Sequence, residues 1–422
     1  MKKYPKMKPS GVEWIGDVPE HWGIARFKYF YRSGMGETIL KEDLVEEGIP
    51  VFSATENDEI FGFVSSVKLI LEKGDFVIPA RGNSIGHIME VEQKCTSTQT
   101  TIYSKKVSQE VQNRFAFHFL KGLRANLFFF DRTAIPQITV HQVGNNPFLV
   151  PPLPEQLAIA AYLDRKTAQI DQTIAEKERL IELFREERQA IINHAVTKGI
   201  RPGAKMKPSG VEWIGDVPEG WEVKKLKYVS ELIQTGKTPP SGEEKYYQDG
   251  DANWFNPSDF SGEILLKESQ RKVSRLAIEE GEIKAYKAKT VLLVGIGATM
   301  GKVGIIDKEG CSNQQINAIT VNEEKANPFF VAYFLESFSH VIVSYSNAST
   351  LAIFNQTQTK NFKIVVPPRA EQDQVVIFID QKTAQIDTAI SGIRQEIALL
   401  QEYRQALIFE AVTGKIDVRE HA

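Results

Sequence analysis

The sequence has few cysteines, few histidines and no long apolar run. Its 422 residues include only two cysteines, Cys95 and Cys311, which argues against a disulfide framework and against a zinc site. The seven histidines form no close pair of metal ligands. The longest apolar run, Val291 to Met300, is interrupted by glycines and is far shorter than a membrane span. No apolar segment follows the first lysines, so we expect no secretory signal, no membrane association and a cytoplasmic location.

The chain also lacks an excess of positive charge. Its formal net charge is −3, which counts against a protein that binds any nucleic acid by coating phosphates with lysine. The alternative is a protein that binds selected nucleic-acid sequences and relies on the basic surface of a partner. With 42% hydrophobic and 25% charged residues, the composition is typical of a soluble globular protein. A chain of 422 residues is long enough for two or three domains, each with its own apolar core.

Two internal repeats organise the chain. The segment "MKPSGVEWIGDVPEHW" at Met7–Trp22 recurs at Met206–Trp221 with 15 of 16 positions identical. A second repeat aligns Val150–Ile200 with Val366–Ile416 without a gap, and both copies contain "KTAQID". Between the repeats lie two segments of unlike sequence, which we call the first variable region (23–149) and the second variable region (222–365). This order predicts an internal pseudo-two-fold repeat of one structural unit.

The repeats also predict the domain bounds. We expect residues 1–149 to form the first copy of the repeated segment with a first domain, and residues 150–200 to form a central repeated helix. Residues 201–365 are expected to form the second copy of the segment with a second domain, and residues 366–422 a C-terminal repeated helix.

Both copies of the long repeat show apolar residues at alternating spacings of four and three. This heptad seam predicts two long helices that pair with each other as an antiparallel coiled coil. Roughly 40 residues per helix would give a rod of about 60 Å. Two amphipathic helices that each pack on their own domain are the alternative. The seam residues are Ile170, Ile174, Ile181, Phe184, Ile386, Ile390, Ile397 and Leu400.

The variable regions are predicted to share one α+β fold. "GDFVIPARGNSIGHIMEV" and "KTVLLVGIGATMGKVGII" each show two β-like runs around a glycine turn. Aligned on these turns, Gly82 and Gly86 correspond to Gly297 and Gly301, and Cys95 corresponds to Cys311. Cysteines at matching positions are expected to be small buried residues without a chemical role.

Three patterns that could indicate catalysis are each incomplete. "GIGATMG" resembles a dinucleotide-binding turn, but the strand-like "KVGIID" follows it where a helix is required. Asp75 and Glu92 resemble the carboxylates of a metal-dependent nuclease, yet the second variable region has no counterpart. "NPFL" and "NPFF" lack the second proline of an adenine methyltransferase loop. We therefore predict no catalytic residue and no metal site.

Polar side chains on predicted turns fit the reading of DNA bases. Arginine can bridge O6 and N7 of guanine, and asparagine or glutamine can bridge N6 and N7 of adenine. For any single residue, an ordinary capped turn or solvated loop is the alternative. The candidate DNA-binding residues are Arg81, Asn83, Ser84, Thr98 and Gln99 in the first variable region, and Lys237, Trp254, Asn256, Thr299, Lys302, Asn313, Gln314 and Gln315 in the second.

The repeated segments resemble the specificity subunits of type I DNA restriction-modification enzymes. The residues that carry the likeness are "SGVEWIGDVPEHW" from Ser10 with its copy from Ser209, "PPLPEQLAIAAYLD" from Pro151 and "PPRAEQDQVVIFID" from Pro367, together with "GKTPP" and "NQQINAITV". The resemblance implies two target-recognition domains that each read one half of a bipartite DNA target, with the conserved helices as a ruler between them.

The same resemblance implies the partners and their cofactors. Two methyltransferase subunits would dock on the helices and bring S-adenosylmethionine, and two motor-nuclease subunits would bring ATP and magnesium. The specificity subunit itself would bind no cofactor and would have no active site.

The length of the predicted rod limits the target. DNA rises 3.4 Å per base pair, so a rod of about 60 Å spans at most about 18 base pairs. We expect Trp14, Trp22, Trp213 and Trp221 of the doubled segment to pack at equivalent junctions of domain and helix. Two other functions stay open: a duplicated protein-interaction scaffold without sequence-specific DNA binding, and a nuclease or methyltransferase that acts alone.

Overall fold

A computed structural model describes residues 2–55, 58–128, 136–345 and 353–421. The chain divides into two compact units. Unit 1 comprises residues 1–178 and 394–422, and unit 2 comprises residues 179–393. The division falls inside the two long helices, so each helix contributes one part to each unit.

The described residues of unit 1 form four groups of paired strands and three short helices, in addition to parts of the long helices. The strands are β1 (Met7–Pro9), β2 (Asp17–Pro19), β3 (Gly23–Arg26), β4 (Tyr31–Met35), β5 (Ile49–Phe52), β6 (Ile60–Val64), β7 (Phe76–Pro79), β8 (Met89–Glu90), β9 (Thr96–Ser97), β10 (Thr101–Lys106) and β11 (Pro147–Val150). The helices are α1 (Asn113–Gly122), α2 (Arg124–Leu127), α3 (Val140–Asn145) and the first part of α4 (Leu153–Lys198). The sheets have the orders β4-β10-β7-β8, β6-β5-β9, β1-β2 and β11-β3.

Unit 2 repeats this arrangement, with one more strand in its largest sheet. Its strands are β12 (Met206–Pro208), β13 (Asp216–Pro218), β14 (Glu222–Lys225), β15 (Ser230–Thr235), β16 (Ala252–Phe255), β17 (Leu265–Leu266), β18 (Lys272–Val273), β19 (Val291–Val294), β20 (Val303–Ile306), β21 (Gly310–Ser312), β22 (Ile316–Val321) and β23 (Lys363–Val366). Its helices are α5 (Arg275–Glu279), α6 (Pro328–Ser337), α7 (Ser339–Ser344), α8 (Gln356–Asn361), the last part of α4 and the first part of α9 (Arg369–Val412), whose last part belongs to unit 1. The sheets have the orders β15-β22-β19-β20-β17, β18-β16-β21, β12-β13 and β14-β23.

The two variable regions have the same strand order and the same register. Ile102 on β10 lies opposite Ile78 on β7, and Asn317 on β22 lies opposite Leu293 on β19, so both strands correspond at an offset of 215 residues. The second sheet of each region pairs two parallel strands, β5 with β9 and β16 with β21. The predicted α+β fold with an internal repeat is confirmed.

The glycine turn is also repeated, but the predicted match of the cysteines is wrong by one residue. Gly86 N donates to Pro79 O at 2.9 Å and Gly301 N donates to Val294 O at 2.8 Å, as expected for equivalent turns. Cys95, however, pairs with Leu71 as Gly310 pairs with Tyr286, which makes Cys311 the equivalent of Thr96. The sequence alignment followed the identity of the residues, whereas the backbone hydrogen bonds fix the register. Both cysteines are free and buried, as predicted.

The proline-Glu-Gln motif builds the start of each long helix. Gln156 is fully buried, accepts a hydrogen bond from Gln112 N at 2.7 Å and donates to Pro151 O at 2.8 Å. Gln372 makes the same two contacts with Asn327 N and Pro367 O, at 2.7 and 2.8 Å. A buried carboxamide must be satisfied by hydrogen bonds, so this glutamine joins the first helical turn to the loop before α1 or α6.

The tryptophans of the doubled segment pack where the strands meet the long helices. Trp22 and Trp221 are fully buried, and Trp22 Nε1 donates to Glu155 Oε2 on α4 at 2.9 Å. Trp14 and Trp213 are partly buried against the same two cores. The predicted packing of these residues at equivalent junctions is confirmed.

The long helices pair within each unit along the predicted seam. In unit 1, Asp171 on α4 binds Arg404 on α9 at 2.8 Å, and Lys177 binds Glu396. Because a later position on α4 meets an earlier one on α9, the two helices run antiparallel there. In unit 2 the equivalent pair, Arg188 and Asp387, lies at 3.6 Å.

The burial of the seam follows the predicted heptads. Ile170, Ile181, Ile386 and Ile390 are only 6–7% exposed. The other four predicted seam residues are partly buried, namely Ile174, Phe184, Ile397 and Leu400. The 46 residues of α4 extend about 70 Å at about 1.5 Å per residue, somewhat longer than predicted.

Candidate nucleic-acid interface

The candidate residues of the first variable region lie on turns at one edge of the four-stranded sheet. The turn after β7 and the turn before β10 are joined by Ala80 N, which donates to Thr100 O at 2.9 Å. The segment after β4 joins them through Gln99 N, which donates to Glu37 O at 2.7 Å. Three separate segments therefore meet at this edge. Three of the candidates are exposed there, namely Arg81, Asn83 and Gln99.

The two buried candidates of this region have different surroundings. Ser84 and Thr98 are each 4% exposed. Thr98 Oγ1 lies 2.7 Å from Thr100 Oγ1 and 3.0 Å from Ser53 Oγ, so a network of hydroxyl groups holds the turn. The Ser84 hydroxyl has no hydrogen-bond partner among the described residues. Direct contact with a base requires an exposed group, so we now expect it from the exposed candidates and assign Thr98 to the support of the loop.

Three candidates of the second variable region form one hydrogen-bonded group, and two more lie beside it. Asn313 Nδ2 donates to Asn256 Oδ1 at 2.9 Å and to Gln315 Oε1 at 3.1 Å. Gln314 is exposed beside them, and Lys237 N donates to Ser312 O, next to Asn313, at 2.9 Å. The sequence placed these residues on three separate segments, and the structure brings them together.

Trp254 and Asn313 do not lie at the surface of this group. Trp254 is 5% exposed on β16, and its indole N–H donates to Lys237 O at 3.1 Å. Asn313 is 7% exposed and holds its neighbours as described. The expected contact of Trp254 with DNA is corrected to a structural role, because the ring packs in a small core with Tyr246, Val273 and Cys311.

The last two candidates lie on the glycine turn between β19 and β20. Thr299 is partly buried, and its carbonyl accepts from Lys302 N at 3.3 Å. Lys302 is an exposed residue, but its amine donates to Phe260 O at 2.8 Å. The turn leads directly into β20, so the predicted strand after "GIGATMG" is confirmed and the helix of a dinucleotide site is not formed.

The carboxylates that resembled a nuclease site have structural contacts. Asp75 is buried, and its two oxygens accept hydrogen bonds from Glu72 N and Lys106 N, both at 2.9 Å. Glu92 is exposed on the turn after β8. Among the described residues, no cluster of histidine, cysteine, aspartate and glutamate could hold a metal ion.

Two residues at these edges were not predicted from the sequence. Thr38 Oγ1 donates to Gln99 Oε1 at 2.9 Å, and Thr238 Oγ1 donates to Gln314 Oε1. The signal that could have shown them is the pair of short segments "GET" and "GKT" at 36–38 and 236–238, which occupy equivalent places in the two copies.

Over the part of the chain that the structure describes, no helix combines the length and the apolar character needed to cross a membrane.

Comparisons with known proteins agree with the repeated architecture. The type I restriction modification DNA specificity domain matches the chain twice, at residues 19–183 and 218–399. The type I restriction enzyme MjaVIII specificity subunit of Methanocaldococcus jannaschii is 24% identical over 418 aligned positions, which cover 95% of this chain and 94% of the relative.

Two solved structures have a similar fold. One comes from a study of complex assembly and conformational transition of the type I R-M system; it has a TM-score of 0.73 at 17% identity, covering 94% of this chain and 99% of the other. The HsdS subunit from Thermoanaerobacter tengcongensis has a TM-score of 0.52 at 16% identity, covering 94% of this chain and 98% of the other. The chain belongs to the type I restriction-modification DNA specificity family, and its predicted role as a DNA-recognition specificity subunit is confirmed.

Proposed function

We propose that this chain directs a type I restriction-modification complex to a bipartite DNA target, with each variable region reading one half. The observation that supports this most strongly is the edge of each sheet, where polar side chains from three segments meet at equivalent places. The exposed members differ between the copies: Arg81 and Asn83 are exposed in the first, and Lys237 is exposed in the second, where Gln315 is partly buried. Two surfaces of one design but different chemistry suit two half-sites of different sequence.

We further propose that the chain is not catalytic and that its partners supply the chemistry. Two methyltransferase subunits would bring S-adenosylmethionine and methylate adenine at N6, and two restriction subunits would bring ATP and magnesium. The modest acidity of the chain fits this division, because the partners would then contribute much of the positive charge that binds phosphate. The complex would act in the cytoplasm, on double-stranded DNA.

Exposed apolar side chains on the long helices support a docking role there. Leu399 is 64% exposed and Tyr403 is 51% exposed, and both lie beside Leu400 in a groove of unit 1. Leu183 is 45% exposed, and the offset of 216 makes it the counterpart of Leu399. Apolar side chains at equivalent places suit two identical partners, and such patches commonly mark protein interfaces.

The first experiment is to co-express the chain with its methyltransferase partner and map N6-methyladenine on a plasmid. A gapped target with two specified halves is the expected result. A continuous target, or no target, would contradict the proposal. An interaction scaffold without DNA specificity would give the same binding to every duplex.

Exchange of one variable region tests which part reads which half. Replacing residues 23–149 with those of another family member is expected to change one half-site and leave the other intact. Replacing residues 222–365 is the reciprocal control. If either exchange altered both halves, the assignment of one variable region to one half-site would be wrong.

Shortening the helices tests the ruler. The variant lacks two heptads between Ile170 and Ile191 and the two matching heptads between Ile386 and Leu407. Because whole heptads are removed from both helices, the seam stays in register. The deletion removes about 21 Å of helix, which corresponds to about 6 base pairs. We expect a shorter gap with both half-sites unchanged. An unchanged gap in a folded, active variant would show that the helices do not set the spacing.

A further inference from the structure

The same side-chain hydrogen bond occurs at equivalent positions of the two variable regions. Thr38 Oγ1 donates to Gln99 Oε1 at 2.9 Å, and Thr238 Oγ1 donates to Gln314 Oε1. All four side chains are exposed. A hydrogen bond between exposed neutral groups adds little to stability because water competes for both partners. The repetition of this pair is therefore not explained by folding alone.

The backbone around each pair is built in the same way. A Cβ atom on Gly36 would lie closer than 3.0 Å to the carbonyl oxygens of Ser97 and Thr98, and one on Gly236 would meet those of Ser312 and Asn313 equally closely. Only glycine permits this approach. The residue after each glycine donates its backbone N–H across the same gap: Glu37 N donates to Ser97 O at 2.8 Å, and Lys237 N donates to Ser312 O at 2.9 Å. The threonine is thus held beside the turn that carries the glutamine.

The residues around the two glutamines differ. Gln99 lies between Thr98 and Thr100, whereas Gln314 lies between Asn313 and Gln315. On the neighbouring turn, the exposed Arg81 and Asn83 correspond to Ile296 and Ala298 at the offset of 215. The glutamine and its threonine are constant within surfaces that otherwise diverge. A group kept on both surfaces suits a feature that both half-sites share.

The chemistry of the carboxamide defines that feature. The threonine hydroxyl donates to Oε1 and so favours the orientation in which Nε2 points away from the threonine. Within the described residues, neither Gln99 Nε2 nor Gln314 Nε2 donates to a protein acceptor. Two N–H donors presented in this way match a hydrogen-bond acceptor on DNA, either a purine N7 in the major groove or a phosphate oxygen.

We propose that Gln99 and Gln314 each donate to an acceptor that occurs in both half-sites, and that Thr38 and Thr238 are positioning residues that orient these carboxamides. This inference rests on the proposed function. It assigns a common contact to two surfaces whose other residues distinguish the half-sites.

The test uses the full chain in complex with its methyltransferase partner, on a duplex that carries the target mapped for the natural chain. Gln99→Ala is expected to lower affinity about tenfold, the low end of the range for a specific base contact. Thr38→Val should lower it several-fold, and Thr38→Ser, which keeps the hydroxyl, should restore it. Gln314→Ala and the Thr238 variants should act in the same way through the other half-site. Gln93→Ala changes an exposed glutamine on another turn and serves as the matched control.

Modified duplexes separate the two kinds of acceptor. If the acceptor is a purine N7, one 7-deazapurine in the half-site should weaken the natural chain but have no further effect on Gln99→Ala. If it is a phosphate oxygen, one methylphosphonate should show this behaviour instead. Unfolding temperatures of the variants should match the natural chain, which shows that the loss is not a loss of folding.

Some results would overturn the inference. If Gln99→Ala and Gln314→Ala bind as tightly as Gln93→Ala, the glutamines make no contact that matters. If Thr38→Ser behaves like Thr38→Val, the threonine does not act through its hydroxyl. A natural chain that discriminates no target would overturn the proposed function and this inference with it, whereas a discriminating natural chain whose variants all bind the target with normal affinity would overturn this inference alone.

Discussion

The glycine that precedes the second Thr–Gln pair gives the sharpest test of the packing. In Gly236→Ala, the new Cβ would lie closer than 3.0 Å to the carbonyl oxygens of Ser312 and Asn313, an approach that real Cβ atoms essentially never show. The end of β15 would have to move by about 1 Å, which stretches a hydrogen bond beyond its usual range. Two such bonds are at risk, from Gly236 N to Ile316 O and from Lys237 N to Ser312 O, both 2.9 Å long.

The energetic cost follows from these contacts. Each backbone hydrogen bond contributes about 1 kcal/mol net, and overpacking at a tight contact costs a further 1–3 kcal/mol or so. We expect unit 2 to lose about 3 kcal/mol of stability, which corresponds to about 100-fold faster exchange of its most protected amides. Because the chain has two units, a single unfolding curve does not report on one of them, and hydrogen exchange read by mass spectrometry does.

The same measurement contains its own controls. Peptides from unit 1 should exchange at unchanged rates. Gly242→Ala, in the same variable region, places its Cβ in open space with nothing within 4 Å and should leave unit 2 unchanged. If the amides of β22 in Gly236→Ala exchanged no faster than in Gly242→Ala, the close approach would have no energetic consequence and the reasoning would be refuted.

Two further predictions concern titration. Burial alone would raise the pKa of the Asp164 carboxyl, but hydrogen bonds from His118 and Arg114 outweigh it and hold this pKa well below its usual range. The stabilisation is therefore present above the unfolded pKa of about 3.9 and is lost as pH falls further, so peptides of unit 1 should exchange hydrogen faster in Asp164→Asn than in the natural chain near neutral pH, and this difference should shrink below about pH 4; a difference independent of pH would contradict this. Burial raises the pKa of the Cys95 and Cys311 thiols to about 12. Mass spectrometry should therefore show that iodoacetamide labels neither thiol at neutral pH until the chain is unfolded. Rapid labelling of the native chain would contradict this prediction.

The long-range order of the chain could be predicted from its sequence because the repeats and the heptads are periodic. The seam at Ile170 and Ile386 and the paired glycine turns follow from residue spacing alone. Trp254 was misjudged because "NWFNPSDF" contains turn-forming residues, whereas β16 is buried along its whole length. Burial depends on a neighbouring sheet that no local pattern reveals.

The Thr–Gln pairs could not be predicted for a related reason. Thr38 and Gln99 are 61 residues apart, and Thr238 and Gln314 are 76 apart. Neither residue type is distinctive, and their contact depends on a backbone approach that only the folded sheet creates. The equivalence of Cys311 with Thr96 also required the hydrogen-bond register.

The division of each long helix between the units has a consequence for synthesis on the ribosome. Unit 2 is continuous in sequence and is complete once residue 393 has emerged. Synthesis of unit 1 begins first, but its core stays incomplete until residues 394–418 have been synthesised. Asp417 N donates to Lys2 O, and this segment fills part of the core of unit 1. The buried residues supplied so late are Leu407, Ile408, Ala411, Val412, Ile416 and Val418. Domains usually fold in the order of their synthesis, but here the part made first is the part finished last.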